Sequence, residues 1–290
     1  MRLRPLLPLA ALALTWPFVE PHLPVLRRRQ VEVLPPGSAP LRVLHLSDLH
    51  LLSRHTRRAA WVRALATERA DLVVSTGDHL SSAEAVGLLT ATLGALTADG
   101  TPGVFVPGNN DYYSPVRPQL SQFTGHRTPS RPPDLPWDRA AAALVDVGWT
   151  DLTQQRVTLR VGGTPVVLTG TDDAYLRRDR YAEVAGPVDG FGIGVLHTPA
   201  RRLLRALAGD GHALVLAGHT HGGQLRLPLL GPATTNCDLE RFRARGLSAL
   251  IPDGPGLLHV SAGLGTSPYV PVRLCCRPEA TVLELVERPA

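Results

Sequence analysis

Apolar residues in this chain gather in short β-branched runs that alternate with longer stretches of helical spacing. The runs at 41–47, 71–76, 104–107, 191–196 and 213–217 are short, apolar and β-branched and are bounded by Gly, Pro or Asp, which is how buried strands read. Between them, residues 56–69 set Trp61, Val62, Leu65 and Ala66 along one side of a predicted helix. Residues 83–96, 138–147 and 199–208 carry further helical patterns, the last with Pro199 near its start. Residues 157–161 and 166–169 predict a hairpin across Gly162-Gly163. The stretch after Asp111, with Thr128-Pro129-Ser130-Arg131-Pro132-Pro133, is too rich in proline for either element and predicts a long loop of the kind that often covers a site. Strands alternating with helices imply a layered α/β protein, and no internal repeat interrupts the pattern.

The polar residues that close each strand run change the picture from fold to chemistry. They are Asp48 with His50, Gly77-Asp78, Gly108-Asn109-Asn110-Asp111, His197, and Gly218-His219-Thr220-His221. In α/β sheets, ligand groups collect beyond the carboxyl ends of strands, so clusters far apart in sequence are expected to converge. Carboxylate, amide and imidazole donors in one place suit divalent cations of borderline hardness. A phosphoester resists attack because its oxygens are anionic. Two divalent ions about 3.5–4 Å apart neutralise that charge and supply hydroxide near neutral pH. Single members have ordinary alternatives, since Asp-x-His and Gly-Asp are common after strands. Five in this order point to a metal site.

The set Asp48-x-His50, Gly77-Asp78, Gly108-Asn109, His197 and Gly218-His219-x-His221 resembles the calcineurin-like metallophosphoesterase superfamily, from about residue 41 to the C-terminus. The run from His259 to Ser267, then Pro271-Val272-Arg273 and Arg277-Pro278-Glu279, is similar to its bacterial membrane-associated branch, as is Val19-Glu20-Pro21. That branch includes enzymes related to UDP-2,3-diacylglucosamine hydrolases. The resemblance implies a four-layer α/β/β/α sandwich of two mixed β-sheets flanked by helices. It further implies a phosphoester hydrolase with two divalent metal ions, Mn2+, Fe2+ or Zn2+, acting on a lipid- or nucleotide-linked phosphodiester or pyrophosphate. Carried over by position, Asp78 bridges the ions. Asp48, His50 and His221 hold one, and Asn109, His197 and His219 the other.

At the third motif the family usually places a histidine that assists the leaving group, and Asn110 stands there instead. An amide can hydrogen-bond a phosphoryl oxygen but delivers no proton at neutral pH. Loss of general acid help typically costs about 10²–10⁴-fold and falls least on good leaving groups, such as those of phosphoanhydrides. The adjacent amides leave the register open, with Asn109 preferred as ligand and Asn110 as the residue facing substrate. Asp78 and Asn110 are the expected catalytic residues. His79 and Gly222 are candidate substrate contacts, although a supporting or helix-start role is preferred for His79, and Gly222 serves by allowing close backbone approach. A metal-binding scaffold of low activity and a soluble general phosphodiesterase are the alternative functions. Asp172 and Asp173 reach a cleft rim or cap a turn, His45 packs, and His126 sits in the loop.

Residues 1–29 differ in kind from the rest. The stretch 6–19 is almost wholly apolar, shorter than the roughly 20 residues that cross a bilayer, and predicts a retained membrane anchor, with a signal segment as competitor. Residues 30–290 are then one metallophosphoesterase domain, expected to be a monomer associated with the membrane surface. The formal charge is +5, and all thirty cationic side chains are arginine, which suits phosphate, although GC-rich coding explains it more simply. Residues 237–245, with Arg241, Arg243 and Arg245, are expected either to face an anionic headgroup or to form a solvated helix. No stripe of aromatic and basic residues favours nucleic acid. Three cysteines, Cys237, Cys275 and Cys276, make no disulfide framework.

Overall fold

A computed structural model describes residues 15–116, 131–227, 229–232 and 234–289. The chain runs through β1 (Val25–Leu34), β2 (Leu41–Leu46), α1 (Thr56–Ala64), β3 (Leu72–Ser75), α2 (Val86–Thr97) and β4 (Gly103–Phe105). The short α3 (Asn109–Tyr112) and α4 (Trp137–Asp146) lead into β5 (Trp149–Asp151), β6 (Gln155–Val161), β7 (Thr164–Gly170) and β8 (Phe191–Val195). Then come α5 (Arg201–Gly209), β9 (Leu214–Ala217), β10 (Arg226–Leu227), β11 (Gly231–Pro232), β12 (Gly246–Ala249), β13 (Leu257–Val260) and β14 (Glu279–Glu287). Among the described residues there are two six-stranded sheets, ordered β1-β14-β2-β3-β4-β5 and β12-β13-β9-β8-β7-β6, besides the small ribbon β10-β11. Both are mixed: β2 to β5 and β7, β8, β9, β13 run parallel, while β14 pairs antiparallel with β2 and β6 with β7.

The layers follow from the period of two along each strand. In β3, Leu72 and Val74 face the second sheet, whereas Val73 faces α1, α2 and α4. In β9, Leu214 and Leu216 face the first sheet, and Val215 and Ala217 face α5 with Leu203, Leu204 and Leu207. The central core thus lies between the sheets, joining Val43, Val104 and Leu283 to Val166, Ile193 and Val195, and helices cover both outer faces. This is the expected α/β/β/α sandwich. The helix expected at 56–69 is α1 continued by a 3₁₀ turn, Leu65–Glu68, that stops at Arg69 in the left-handed region. The expected hairpin is β6 and β7, turning at Gly162-Gly163.

The expected attachment to a membrane through the N-terminal apolar segment is corrected: among the described residues, no helix is long and apolar enough to cross a membrane. Residues 1–14 of that segment lie outside the described residues, as do His126 and most of the proline-rich stretch. From Thr15 onward the segment is tied to the C-terminal part of the domain. Buried Glu20 accepts hydrogen bonds from the backbone N–H groups of Cys275 and Cys276 and from the Trp16 indole. Arg27-Arg28-Arg29 are strand residues inside β1, paired in parallel with Thr281-Val282-Leu283 of β14. Nor does the arginine-rich stretch present its middle cation outward, because buried Arg243 donates to Ser248 Oγ and to the carbonyls of Ala249 and Leu250.

Candidate metal centre

The carboxyl ends of β2, β3, β8 and β9 open on one edge of the sandwich, and the loops beyond them stay hydrogen-bonded to one another. Asp48 N–H donates to Gly77 O and His50 N–H to Asp78 O, both at 2.9 Å, while Gly218 N–H donates to His197 O at 2.9 Å. To turn side chains inward on such short loops the backbone enters the left-handed region at Asp48, His50, Asp78, His219 and His221. Non-glycine residues rarely adopt that conformation, and its concentration at one place is typical of a functional site. At Gly218 a side chain would force its neighbours to move, since a Cβ would lie 1.9 Å from Ser47 Oγ and 2.7 Å from Asp48 Oδ2.

Two nests of donors share Asp78. In the first, His50 Nε2 lies 3.2 Å from His221 Nε2 and 3.4 Å from Asp78 Oδ2, and His221 Nε2 lies 3.4 Å from Asp48 Oδ1. In the second, His197 Nε2 lies 3.4 Å from Asp78 Oδ1 and 3.3 Å from His219 Nδ1. Donors about 2.0–2.2 Å from one ion sit about 3–3.5 Å from each other, so both spacings suit a shared cation. Asp48, His50, Asp78 and His221, with ligand atoms all within 4.8 Å of one another, are able to hold a metal ion.

The outer atom of each ring is committed elsewhere, which aims the inner nitrogen. Carbonyls accept from His197 Nδ1 (Thr76, 2.7 Å), His219 Nε2 (Asn236, 3.2 Å) and His221 Nδ1 (Gly265, 3.2 Å), and Ser81 Oγ lies 3.4 Å from His50 Nδ1. Fixing the tautomer in this way is what metal-ligating histidines normally require. Asp48 is oriented likewise: Oδ2 takes the Ser47 hydroxyl and the His219 N–H, and Oδ1 is left buried without a hydrogen-bond partner. Asn109 Oδ1 is buried and equally without one. A buried acceptor in that condition costs about 1–3 kcal/mol, and a cation removes the cost. The donor set therefore fits divalent metal.

Charge in the site is arranged around Asp78. Burial would raise its carboxyl, but His197, His50 and the Asn110 hydrogen bonds outweigh it and hold Asp78 well below the usual carboxylate range. Burial opposes a proton on His197 too, yet Asp78, Asp48 and Asp173 keep that imidazole well above its ordinary value. A metal taking Nε2 must displace the proton. Burial, first of all, pushes Asp48 up to about 7 and His50 down to about 4, and holds His221 well below its ordinary value.

The expected site residues do not all face this centre. Asn110 donates to Asp78 twice, through its backbone N–H to Oδ1 (2.7 Å) and its amide to Oδ2 (2.8 Å), which leaves Asn109 as the amide with a vacant oxygen. His79 is buried between Asp111 (2.9 Å) and Ser75 Oγ (2.8 Å) and stacks on Trp137, with its own N–H turned inward to Asp111, which is the supporting position. At Gly222 an added Cβ would lie 2.7 Å from Cys276 Sγ and 2.9 Å from Ala262 Cβ, so the direction a side chain would take is filled by protein. Asp173 caps a turn through the Leu176 N–H and holds the Thr198 hydroxyl at 2.6 Å.

Two supporting residues had no assigned role in the sequence. Asp111 accepts from the N–H groups of His79, Leu80 and Gly108, locking the second and third motif loops together. Its place one residue after the paired amides was the signal. Buried Arg273 donates to the carbonyls of Ala262, Gly263, Gly265 and Cys276 and holds the loop that packs on Asp48. Its place in Pro271-Val272-Arg273 carries the resemblance but gives no sign of this role.

Residues 41–223 match the calcineurin-like phosphoesterase family. The chain is 28% identical to the phosphodiesterase YaeI of Escherichia coli (strain K12) over 275 residues, 93% of this chain and 91% of that one. It is 26% identical to the uncharacterized protein YpbG of Bacillus subtilis (strain 168) over 247 residues, 84% of each. Among solved structures, TT1561 of Thermus thermophilus superposes with a TM-score of 0.46 at 14% identity, covering 78% of this chain and 91% of that one. The matched span runs from the first motif through His221, and it is on this ground that the chain belongs to the calcineurin-like phosphoesterase family and is a phosphoester hydrolase.

Proposed function

We propose that the chain hydrolyses a lipid- or nucleotide-linked phosphodiester or pyrophosphate with two divalent cations that share Asp78. The observation that carries this reading is the pair of donor nests on the two oxygens of one carboxylate, the first of them containing Asp48 Oδ1, a buried acceptor that protein leaves without a hydrogen bond. When bound, divalent cations neutralise phosphoryl oxygens and acidify water. Asp48, His50 and His221 would hold one, and Asn109, His197 and His219 the other. The chain's own contribution is orientation: Thr76, Gly265 and Asn236 carbonyls fix the imidazoles, and Asn110 fixes the shared carboxylate. With Asn110 drawn onto Asp78, that side chain protonates no leaving group, and a substrate whose leaving oxygen needs no proton is favoured. The similarity of residues 259–279 to the UDP-2,3-diacylglucosamine hydrolase-related branch supports a phosphoanhydride, and the phosphodiesterase among its relatives supports a diester.

Asp78→Asn should remove manganese-stimulated hydrolysis of bis(4-nitrophenyl) phosphate by about 10³-fold or more, several kcal/mol of transition-state stabilisation. Full activity in that variant would refute the shared carboxylate. The same occupation of Asn110 by Asp78 favours a second reading, a metal-binding scaffold of low activity. Wild-type protein that retains manganese but turns over neither diesters nor pyrophosphates would establish it.

A further inference from the structure

The third motif lacks its acid, but the helical turn that carries it does not lack a cation. Tyr112 follows Asn110 by two positions within α3, and its hydroxyl donates to Asp172 Oδ1 at 2.9 Å. Arg178 donates from Nε to the other oxygen, Asp172 Oδ2, at 2.9 Å, and its guanidinium carbon lies 4.1 Å above the Tyr112 ring. The turn that presents Arg178 is fixed against the second donor nest. Arg178 N–H donates to Asp173 O, Asp173 Oδ1 holds the hydroxyl of Thr198 next to His197, and the Tyr175 ring lies 5.1 Å from that of His219.

The contrast with Arg131, the other arginine stacked beside this turn, is informative. Arg131 lies 5.8 Å from the Tyr113 ring, and both terminal nitrogens are tied to Ser114, with Asp134 taking a further bond. Arg178 is held by Nε on Asp172 and by Tyr112 beneath it, and its side chain is 43% exposed while Asp172 is 9% exposed, so that part of the guanidinium remains open to solvent and to a ligand. One face on an aromatic ring and one edge on a carboxylate hold a guanidinium in place with its outer edge presented, the geometry suited to a phosphoryl or alkoxide oxygen.

We propose that Arg178 is the substrate-contacting cation of this site, stabilising negative charge on the leaving-group side of the phosphoester where the family's motif histidine is replaced by Asn110. The role rests on the proposed two-cation reading. Water oxygen bonds to phosphorus, the bond from phosphorus to the leaving oxygen breaks with its electron pair on that oxygen, and the proton released by water passes to solvent or to the departing oxygen. Arg178 gives up no proton. It lowers the cost of the departing charge, so its contribution grows as the leaving group becomes more basic.

The test is the hydrolysis of 4-nitrophenyl, 4-chlorophenyl and phenyl esters of thymidine 5′-phosphate by manganese-loaded wild type, R178Q, R178K and R131Q. R178Q should lower kcat/KM for the phenyl ester about a hundredfold, the low end of what losing one donor to a developing anion costs. The 4-nitrophenyl ester should suffer least, so that the dependence on leaving-group basicity steepens. R178K should recover part of the loss, and R131Q should follow wild type. Manganese content and Tm establish that each variant is folded and loaded, and if R178Q does not fold, the slope in R178K decides. An equal loss on all three esters, or rates within twofold of wild type, overturns the role of Arg178. Persistence of turnover in Asp78→Asn sinks instead the two-cation reading, and a wild type that cleaves none of the esters overturns both.

Discussion

Gly108→Ala adds one carbon where the structure has no room for it. The new Cβ would sit 2.3 Å from Asp78 Oδ1, 2.5 Å from Asp78 N and 2.7 Å from His197 Cε1. Asp78 N is backbone, and the two side-chain atoms have little freedom to yield, because Asn110 holds the Asp78 carboxylate by two hydrogen bonds and the Thr76 carbonyl holds the His197 ring. The closest contact falls about 1 Å short of ordinary van der Waals separation. A displacement of that size at a reacting site costs about 10²-fold, while overpacking costs about 1–3 kcal/mol of stability. Gly87→Ala is the matched control, because its Cβ meets nothing within 4 Å in α2. It should add about 0.5–1 kcal/mol of stability and leave activity unchanged. The assay is kcat/KM for bis(4-nitrophenyl) phosphate with manganese, alongside urea unfolding of both variants. Gly108→Ala within threefold of wild type would refute the claim that Asp78 must keep its present position.

Two further outcomes follow from particular groups. Asn110→His should restore a proton donor and raise turnover of diesters with poor leaving groups by at least about tenfold, the low end of general acid catalysis. An unchanged rate on the phenyl ester would show that the position does not reach the leaving oxygen. Burial pushes His259 down to about 4 and, with His259 beside it, holds His45 well below its ordinary value. A buried imidazole with a depressed pKa is protonated first in the unfolded chain. Stability is therefore complete above about pH 6.5 and falls as the pH drops from there toward 4, by about 3 kcal/mol for His259. His259→Gln should flatten that decline in urea midpoints between pH 7.5 and 5, and an identical decline in both proteins would contradict the assignment.

Much of the site was legible because its donors are local. Each motif closes an apolar run, and the runs at 41–47, 71–76, 191–196 and 213–217 contain β2, β3, β8 and β9, each strand one or two residues shorter than its run. Their parallel pairing brings Asp48, Asp78, His197 and His219 to one edge. What a residue type does not encode is which way it turns. His79 and Asp78 are neighbours, yet one faces the core and the other the donors, because Asp111 draws in the His79 N–H. Long-range partners were equally hidden. β1 pairs with β14, Glu20 with Cys275 and Cys276, and Arg273 with the loop on Asp48, the first two across most of the chain. An apolar run near the N-terminus reads the same whether lipid or protein covers it. Glu20 at its end is covered by protein, a fact visible only in the folded chain.

The most direct measurement is anomalous scattering at the manganese edge from crystals of the full chain soaked in manganese. Two peaks flanking the Asp78 carboxylate are expected, one among Asp48, His50 and His221 and one among Asn109, His197 and His219. No peak at these donors, or a single ion that does not touch Asp78, would contradict a carboxylate shared by two cations.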